Sequence, residues 1–216
     1  MNFKGVIFDL DGTLVDSLED LADSMNTILQ SFNFPTHPLV AYKQFIGNGI
    51  RNLVYKTLPE ANRDEATINT CFNLMIEFYR DNCINKTKPY DGITALLDAL
   101  VSRDIKMAVF SNKADEFTRK IVQALLPGWK FEAVVGLSTE AHKKPNPYVA
   151  LQLSEKFGLS PEEIVYVGDS GTDMQTANNA GMYAAGALWG FRTKEELTTN
   201  GANCLLYNPL NLLNIL

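Results

Sequence analysis

Residue types that often mark a function are scarce in this chain of 216 residues. It has three cysteines, Cys71, Cys83 and Cys204, and no CxxC pair, which argues against a disulfide framework or a cysteine zinc site. Its two histidines lie too far apart in the sequence to suggest a metal pair. With 19 basic and 25 acidic residues the net charge is −6, so we expect no surface for nucleic acid or for an anionic membrane.

Long hydrophobic runs are also missing. No apolar segment approaches the ~20 residues of a membrane span, and the start, MNFKGVIFDLDG, has none long enough for a signal peptide. Together with the unpaired thiols, this predicts a cytoplasmic protein without nucleic-acid or membrane partners, as a monomer or homodimer. The length is about one and a half typical domains of ~150 residues, which allows a main domain and a smaller one.

Five short apolar runs predict the strands of a parallel sheet. They are rich in Val, Ile, Phe or Ala without alternation, which is typical of strands covered on both faces. They lie in KGVIFDLDG, IKMAVFSNK, FEAVVGLS, EEIVYVGDSG and MYAAGALWG. Helical patterns such as DGITALLDALVSRD and TDMQTANNAG lie between them. This alternation predicts a Rossmann-like, doubly wound α/β fold with its site at the carboxyl ends of the strands.

One region breaks the alternation of strands and helices. Residues 16–87 show helical patterns and no convincing strand: SLEDLADSMNTILQSF, a segment from Tyr42 to Leu58, and TINTCFNLMIEFYRDNC. We therefore predict an α/β core formed by residues 1–15 and 88–216, with an all-helical domain inserted after the first strand.

Two carboxylates follow the first predicted strand. Asp9 and Asp11 are two residues apart, so extended geometry would place both side chains on the same side. Gly12 and Thr13 then turn the chain, and their amide groups could face an anion. Taken alone, DLDGT could equally be a solvated turn, because Asp and Gly are common in turns.

Three further strand ends carry polar side chains that could converge with this pair, since the carboxyl ends of parallel strands lie on one edge. Ser111 and Asn112 follow the second strand, Lys144 lies after the third, and Asp169 and Asp173 follow the fourth. Simpler interpretations exist for each. Asp169 could cap the next helix, Asp173 could be an ordinary first-turn acid, and Ser111 with Asn112 could only end a strand.

In this order, DLDGT, SN, the lysine of KPNP, and GDSGTD resemble the four motifs of the haloacid dehalogenase superfamily, in its phosphatase branch. The helical insertion resembles the mobile cap of that superfamily, so the resemblance spans nearly the whole chain. It implies a phosphoric monoester hydrolase that uses Mg²⁺ and acts on a small-molecule phosphate ester through an aspartyl phosphate.

The resemblance also implies a role for each motif residue. Asp9 would be nucleophile and metal ligand, and Asp11 the general acid and then base, with its backbone carbonyl on the metal. Lys144 would supply fixed positive charge, while Ser111 and the amides after Asp11 would hold phosphate oxygens. Asp169 would bind the metal directly, and Asp173 would bind it or orient a metal-bound water or Lys144. The implied substrate-binding residues are Gly12, Thr13, Asn112, Lys113, Gly47, Asn48, Gly49 and Arg51.

Two segments resemble phosphoglycolate phosphatases in particular: IGNGIRNLV in the insertion, and the late WGF with the acidic helix pattern after it. Gly47 and Gly49 would let backbone amides on either side of Asn48 approach a ligand. Arg51 could pair with a substrate carboxylate or second phosphate, and Lys113 could bind a distal anion. The alternative for this part of the insertion is a helix–loop–helix turn with Arg51 in solvent.

Other activities remain open on the same scaffold. Inorganic pyrophosphatases, nucleotide phosphatases and sugar-phosphate mutases of the β-phosphoglucomutase type resemble this chain closely. Asp11 argues against a dehalogenase, since a halide needs no proton to leave. A phosphonatase would need a reactive lysine in the insertion, and neither Lys43 nor Lys56 has a suitable context. A phospho-accepting signalling module would have neither the helical insertion nor an acid two residues after the phosphorylated one.

Overall fold

The computed structural model describes residues 3–216. Their contacts divide the chain into two compact units: an α/β unit that runs to Asp16 and continues over Pro89–Leu216, and a helical unit, Ser17–Lys88. Within the described residues, no helix combines the length and the apolar character that crossing a bilayer requires.

The α/β unit is built on a six-stranded sheet in which every neighbouring pair is parallel. The sheet order is β5-β4-β1-β6-β7-β8, so the chain winds outward from β1 in both directions. A separate two-stranded sheet pairs β2 with β3. The strands are β1 (Gly5–Phe8), β2 (Val15–Asp16), β3 (Lys88–Pro89), β4 (Lys106–Ala114), β5 (Ala133–Leu137), β6 (Ile164–Gly168), β7 (Tyr183–Ala187) and β8 (Cys204–Leu206).

The central strands are buried on both faces, as their unbroken apolar runs predict. In β1, Val6 and Ile7 point to opposite faces and both have no exposed surface. Ile7 lies opposite Ala108 of β4 on one side and Tyr166 of β6 on the other. The prediction of a doubly wound parallel α/β sheet is confirmed.

The described part of the chain has nine α-helices. Five belong to the α/β unit, and two of them, α7 and α8, pack their apolar faces on the sheet side that carries Ile7 and Tyr166. The helices are α1 (Leu18–Ser31), α2 (Leu39–Phe45), α3 (Ile50–Thr57), α4 (Glu65–Asn82), α5 (Ile93–Ser102), α6 (Asp115–Leu125), α7 (Tyr148–Phe157), α8 (Gly171–Asn179) and α9 (Lys194–Thr199).

The structure differs from the sequence prediction at several elements, among them the separate sheet of β2 and β3, which the sequence did not indicate. The segment from Tyr42 to Leu58 is two helices rather than one, because Gly47 and Gly49 have φ angles of 118° and 82°, outside the helical region. The sheet also has a sixth strand, β8, that the sequence did not indicate, since CLL is short and lies at the sheet edge.

In the helical unit a buried carboxylate ties the beginning of the unit to its end. Asp20, on α1, is 3 % exposed, and its oxygens accept hydrogen bonds from the amides of Lys86 and Thr87 and from the Thr87 hydroxyl, at 2.6–3.0 Å. Each of these donors would be costly to leave unpaired in this environment. Asp20 therefore fixes the two ends of the helical unit side by side.

Candidate active site

Three adjacent strands of the sheet bring the predicted motifs together. Asp9 directly follows β1, and its amide donates to Val167 O of β6 at 2.9 Å. On the other side of β1, strand β4 carries Ser111, and Asp169 directly follows β6. Because all three strands run in one direction, these residues share the carboxyl edge of the sheet, as predicted.

Three carboxylates form a buried cluster at this edge. Asp9, Asp169 and Asp173 each place one carboxylate oxygen within 4.8 Å of the others. Burial raises the pKa of Asp9 to about 7, with Lys144 opposing the shift. Burial, with the nearby charges of Asp9 and Asp173, likewise raises the pKa of Asp169 well above its usual value. Such a cluster is costly unless cations balance it.

Lys144 supplies one of those cations. Its Nζ lies 2.6 Å from Asp173 Oδ1 and 2.9 Å from Asp9 Oδ1, and its side chain is 3 % exposed. Burial by itself lowers the pKa of Lys144, but Asp173 and Asp9 outweigh it and hold the pKa well above its usual value. Asn112 places this lysine, because its side chain exchanges two hydrogen bonds with the Lys144 backbone, at 2.8 and 3.3 Å.

The cluster fits a divalent cation. When all three carboxylates are ionised, one ammonium group leaves two negative charges unbalanced, and carboxylate oxygens are the ligands that hard cations prefer. Asp9 Oδ1 is buried and pairs with Lys144 Nζ at 2.9 Å, but no donor is aligned to give it a hydrogen bond within the part of the chain that the structure describes. In Asp173 both oxygens already have partners, Lys144 on Oδ1 and Ser170 on Oδ2. Asp9 and Asp169 are therefore the carboxylates better placed to accept a metal ion.

Asp11 does not join this cluster, and its carboxylate pairs with Lys113 instead. Lys113 Nζ lies 2.9 and 3.0 Å from the two oxygens of Asp11, and the lysine side chain is 3 % exposed. The sequence suggested Lys113 for a distal anion of the substrate. The structure places it on a neighbouring acid, a contact that the sequence did not indicate.

The turn after Asp11 uses its own amide groups, which differs from the expectation that they face an anion. Gly12 N donates to Val15 O at 2.9 Å, and Thr13 N donates to Leu10 O at 3.2 Å. Gly12 has a φ of 87°, and a Cβ there would lie 2.3 Å from Asp169 Oδ2, so only glycine fits. The Thr13 hydroxyl is fully buried and has no partner among the described residues. That hydroxyl, rather than the two amides, is the group that can turn to a ligand.

The simpler interpretations of the fourth motif are only partly correct. Ser170, not Asp169, is the N-cap of α8, and it forms a capping box with Asp173. Asp173 is thus a first-turn acid and also the partner of Lys144. Ser111 is 2 % exposed, and its Oγ accepts from Lys113 N at 3.2 Å.

One contributor was not among the predicted site residues: the loop after β7. Trp189 Nε1 donates to Thr13 O at 3.0 Å, and Phe191 N donates to Asp169 Oδ2 at 2.7 Å. Gly190 between them lies directly on the Asp169 side chain. The available signal was the WGF triplet at the end of a predicted strand. The triplet does not indicate these contacts. Phe191 acts through its backbone amide and Gly190 through the absence of a side chain.

The predicted substrate residues of the insertion lie between α2 and α3 and at the start of α3. Gly47, Asn48 and Gly49 form the link between the two helices. Arg51 donates to Glu65 Oε2 and Asn69 Oδ1, each at 2.6 Å, with its side chain 47 % exposed. The helix–loop–helix alternative describes this segment well, whereas its contact with a substrate stays a prediction.

A parallel α/β sheet with buried acids and a lysine at its carboxyl edge defines an enzyme site. The model of the haloacid dehalogenase-like hydrolase family matches residues 6–187, and the chain belongs to that family. The predictions of the family and of an enzyme are confirmed.

Curated relatives and solved structures are similar over nearly the whole chain. The phosphoglycolate phosphatase of Aquifex aeolicus is 36% identical over 186 residues, which cover 86% of this chain and 85% of the relative. That of Haemophilus influenzae is 30% identical over 99% of this chain and 98% of the relative. The crystal structure of a predicted phosphoglycolate phosphatase from Haemophilus somnus superposes with a TM-score of 0.89 at 29% identity, covering 100% of this chain and 98% of that one.

Proposed function

We propose that this protein is a Mg²⁺-dependent phosphatase that hydrolyses 2-phosphoglycolate, or a similarly small phosphorylated acid, through an aspartyl phosphate. The observation that carries the proposal is the placement of Asp9, with Lys144 2.9 Å away, inside a buried acidic cluster at the sheet edge. The relatives named phosphoglycolate phosphatase support the choice of substrate.

In the first half of the reaction, a carboxylate oxygen of Asp9 attacks phosphorus and the bond from phosphorus to the ester oxygen breaks. The leaving oxygen takes a proton from the carboxyl group of Asp11. In the second half, Asp11 takes a proton from water, the water oxygen attacks phosphorus, and Asp9 is released with inorganic phosphate. One acid thus carries the phosphoryl group while the other moves the proton.

The remaining residues neutralise and hold the phosphate. Lys144 offers a fixed positive charge beside Asp9, and Asn112 and Asp173 keep that lysine in place. The hydroxyls of Ser111 and Thr13, both buried, are the donors that we assign to phosphate oxygens. Lys113 contacts both oxygens of Asp11 and so holds in place the carboxyl group to which we assign proton transfer.

Mg²⁺ would be held by Asp9, Asp169 and the backbone carbonyl of Asp11. When bound, it supplies charge neutralisation for a dianionic phosphate that a carboxylate must approach. Two net negative charges in the cluster and the oxygen-only donor set both fit this ion. We assign Asp173 to Lys144 rather than to the metal, since both of its oxygens already have partners.

The test is a panel of phosphorylated compounds ranked by kcat/KM in the presence of Mg²⁺. The panel holds 2-phosphoglycolate, a hexose 1-phosphate, a nucleoside monophosphate, inorganic pyrophosphate and p-nitrophenyl phosphate. We expect 2-phosphoglycolate near the top and no activity in Asp9→Asn. If a compound of another class has the highest kcat/KM, the substrate assignment is wrong but the proposed aspartyl-phosphate mechanism is not contradicted. Normal turnover in Asp9→Asn would contradict the role of Asp9 as nucleophile as well.

A further inference from the structure

The loop after β7 touches two separate parts of the candidate active site without adding a side-chain donor to the acidic cluster. We call Trp189, Gly190 and Phe191 the WGF loop. It follows the carboxyl end of β7, which lies beside β6 in the sheet. It therefore approaches Asp169 from the side opposite to β1. Its three residues make three different kinds of contact.

The first contact fixes the carboxylate of Asp169. Phe191 N donates to Asp169 Oδ2 at 2.7 Å, a short hydrogen bond to a carboxylate that is 2 % exposed. This bond gives the buried carboxylate a hydrogen-bond donor. It also engages one oxygen and so restricts the rotation of the carboxylate. Because the donor is a backbone amide, it is tied to the path of the loop.

The second contact depends on the absence of a side chain. A Cβ at Gly190 would lie 2.3 Å from Asp169 Cβ and 2.4 Å from Gly12 O. Neither atom could move away easily, because Gly12 O belongs to the backbone and Asp169 Cβ is bonded directly to it. Gly190 therefore lets the loop lie flat between the Asp169 side chain and the turn after Asp11.

The third contact holds that turn. Trp189 Nε1 donates a hydrogen bond to Thr13 O at 3.0 Å. Thr13 is the residue whose buried hydroxyl we assign as a donor to a phosphate oxygen. The loop is itself anchored further along the chain. Arg192 Nε lies 3.5 Å from Glu196 Oε1, and the same oxygen accepts from Gly171 N at 3.0 Å, at the start of α8.

We propose that the WGF loop is a positioning element of the metal site. It holds the Asp169 carboxylate in one orientation and the Gly12–Thr13 turn at one distance from it. Affinity for the cation then depends on residues that touch neither cation nor substrate. Outer partners of metal ligands commonly change affinity by about 10–100-fold when they are removed. This inference rests on the proposed metal site.

The test compares Phe191→Pro with Phe191→Leu. Proline removes the N–H that Asp169 accepts, whereas leucine keeps the N–H and changes only the side chain. Mg²⁺ is titrated into metal-free protein by calorimetry, and circular dichroism with thermal unfolding reports the fold of the metal-free variants. We expect Phe191→Pro to raise the Kd for Mg²⁺ by about tenfold or more, and Phe191→Leu by less than about twofold.

A second pair guards against misfolding of the proline variant. Gly190→Ala places a methyl group against Asp169, while Gly128→Ala places one where nothing lies within 4 Å. We expect a raised Kd only for Gly190→Ala, which should fold by circular dichroism with a lowered metal-free Tm, whereas Gly128→Ala should change neither Kd nor Tm. Unchanged Kd values in folded Phe191→Pro and Gly190→Ala would overturn the proposal. So would failure of both to fold, because the loop would then be structural. If the wild type itself binds no Mg²⁺, the proposed function fails first.

Discussion

The ammonium group of Lys113 contacts both carboxylate oxygens of Asp11, at 2.9 and 3.0 Å, and the pair lies beside the cluster of Asp9 and Lys144. The carboxyl edge of the sheet thus holds two acid–lysine pairs. In the proposed reaction, Lys144 would face the transferred phosphate, and Lys113 would hold the acid that moves protons.

Replacing Lys113 by methionine should slow the reaction without removing the nucleophile. Methionine keeps the length and apolar stem of the lysine but leaves Asp11 without its two contacts. A misplaced proton donor costs about 10–100-fold, so kcat should fall by that amount. Steady-state kinetics would measure it, with Lys143→Met as control, because Lys143 only pairs with the exposed Glu140. Equal kcat values in both variants would contradict the role of Lys113.

Asp11→Asn should trap the aspartyl phosphate. Asparagine cannot take a proton from water, so hydrolysis of the intermediate should slow by about 10²–10⁴-fold while Asp9 remains able to attack. Intact-mass spectrometry after mixing with p-nitrophenyl phosphate, whose leaving group needs no proton from Asp11, should show one added phosphoryl group in Asp11→Asn and none in Asp9→Asn. A phosphorylated form that persists for minutes in the wild type would favour a signalling module instead.

Mg²⁺ should stabilise the folded protein through Asp169. At about 100 times its Kd, a ligand adds about 2.7 kcal/mol to the free energy of unfolding, which for this chain length raises Tm by about 5–10 °C. Asp169→Asn should lose this rise. Its metal-free Tm should be equal or higher, because one of three clustered carboxylates is gone.

The exposed Asp81, replaced by asparagine, provides the matched control for the metal experiment. It should retain the full effect of Mg²⁺ on Tm, and EDTA should reverse the effect in both the wild type and the control. A Tm rise in Asp169→Asn as large as in the wild type would place the ion elsewhere.

Asp20→Ala should destabilise the helical unit. The change leaves the amides of Lys86 and Thr87 and the Thr87 hydroxyl without their shared acceptor. Loss of such a buried, charged hydrogen-bond acceptor costs about 1.5–3 kcal/mol, which a urea unfolding curve would detect as a lower midpoint. Asp23→Ala is the control. Asp23 pairs with Lys86 while 58% exposed, so its removal should cost less than about 1 kcal/mol.

The sequence was sufficient for those parts of the fold that follow from apolar runs and from spacing. The runs around β1, β4 and β6 predicted the sheet, and the residues after them predicted which side chains would share its edge. β8 was missed, because three residues at a sheet edge have no distinctive pattern. The break between α2 and α3 agrees with the helix–loop–helix alternative for this segment, and Gly47 and Gly49 are the signal for it.

Residue pairing at the site was harder to predict than residue position. No spacing in the sequence indicates that Lys113 would contact Asp11, or that Asn112 would bind the Lys144 backbone, since both depend on the angle at which chains leave neighbouring strands. The WGF loop acts through an amide hydrogen and through the space at Gly190. Sequence motifs are defined by side chains and do not show such contributions.

The two short strands β2 and β3, which pair with each other, lie where the chain enters and leaves the helical unit. An insertion whose two ends are adjacent can change in length or sequence without altering the strand order of the sheet. Substitutions and length changes in the stretch from residue 17 to 88 can therefore accumulate while the strands that precede or carry Asp9, Ser111 and Asp169 keep their order.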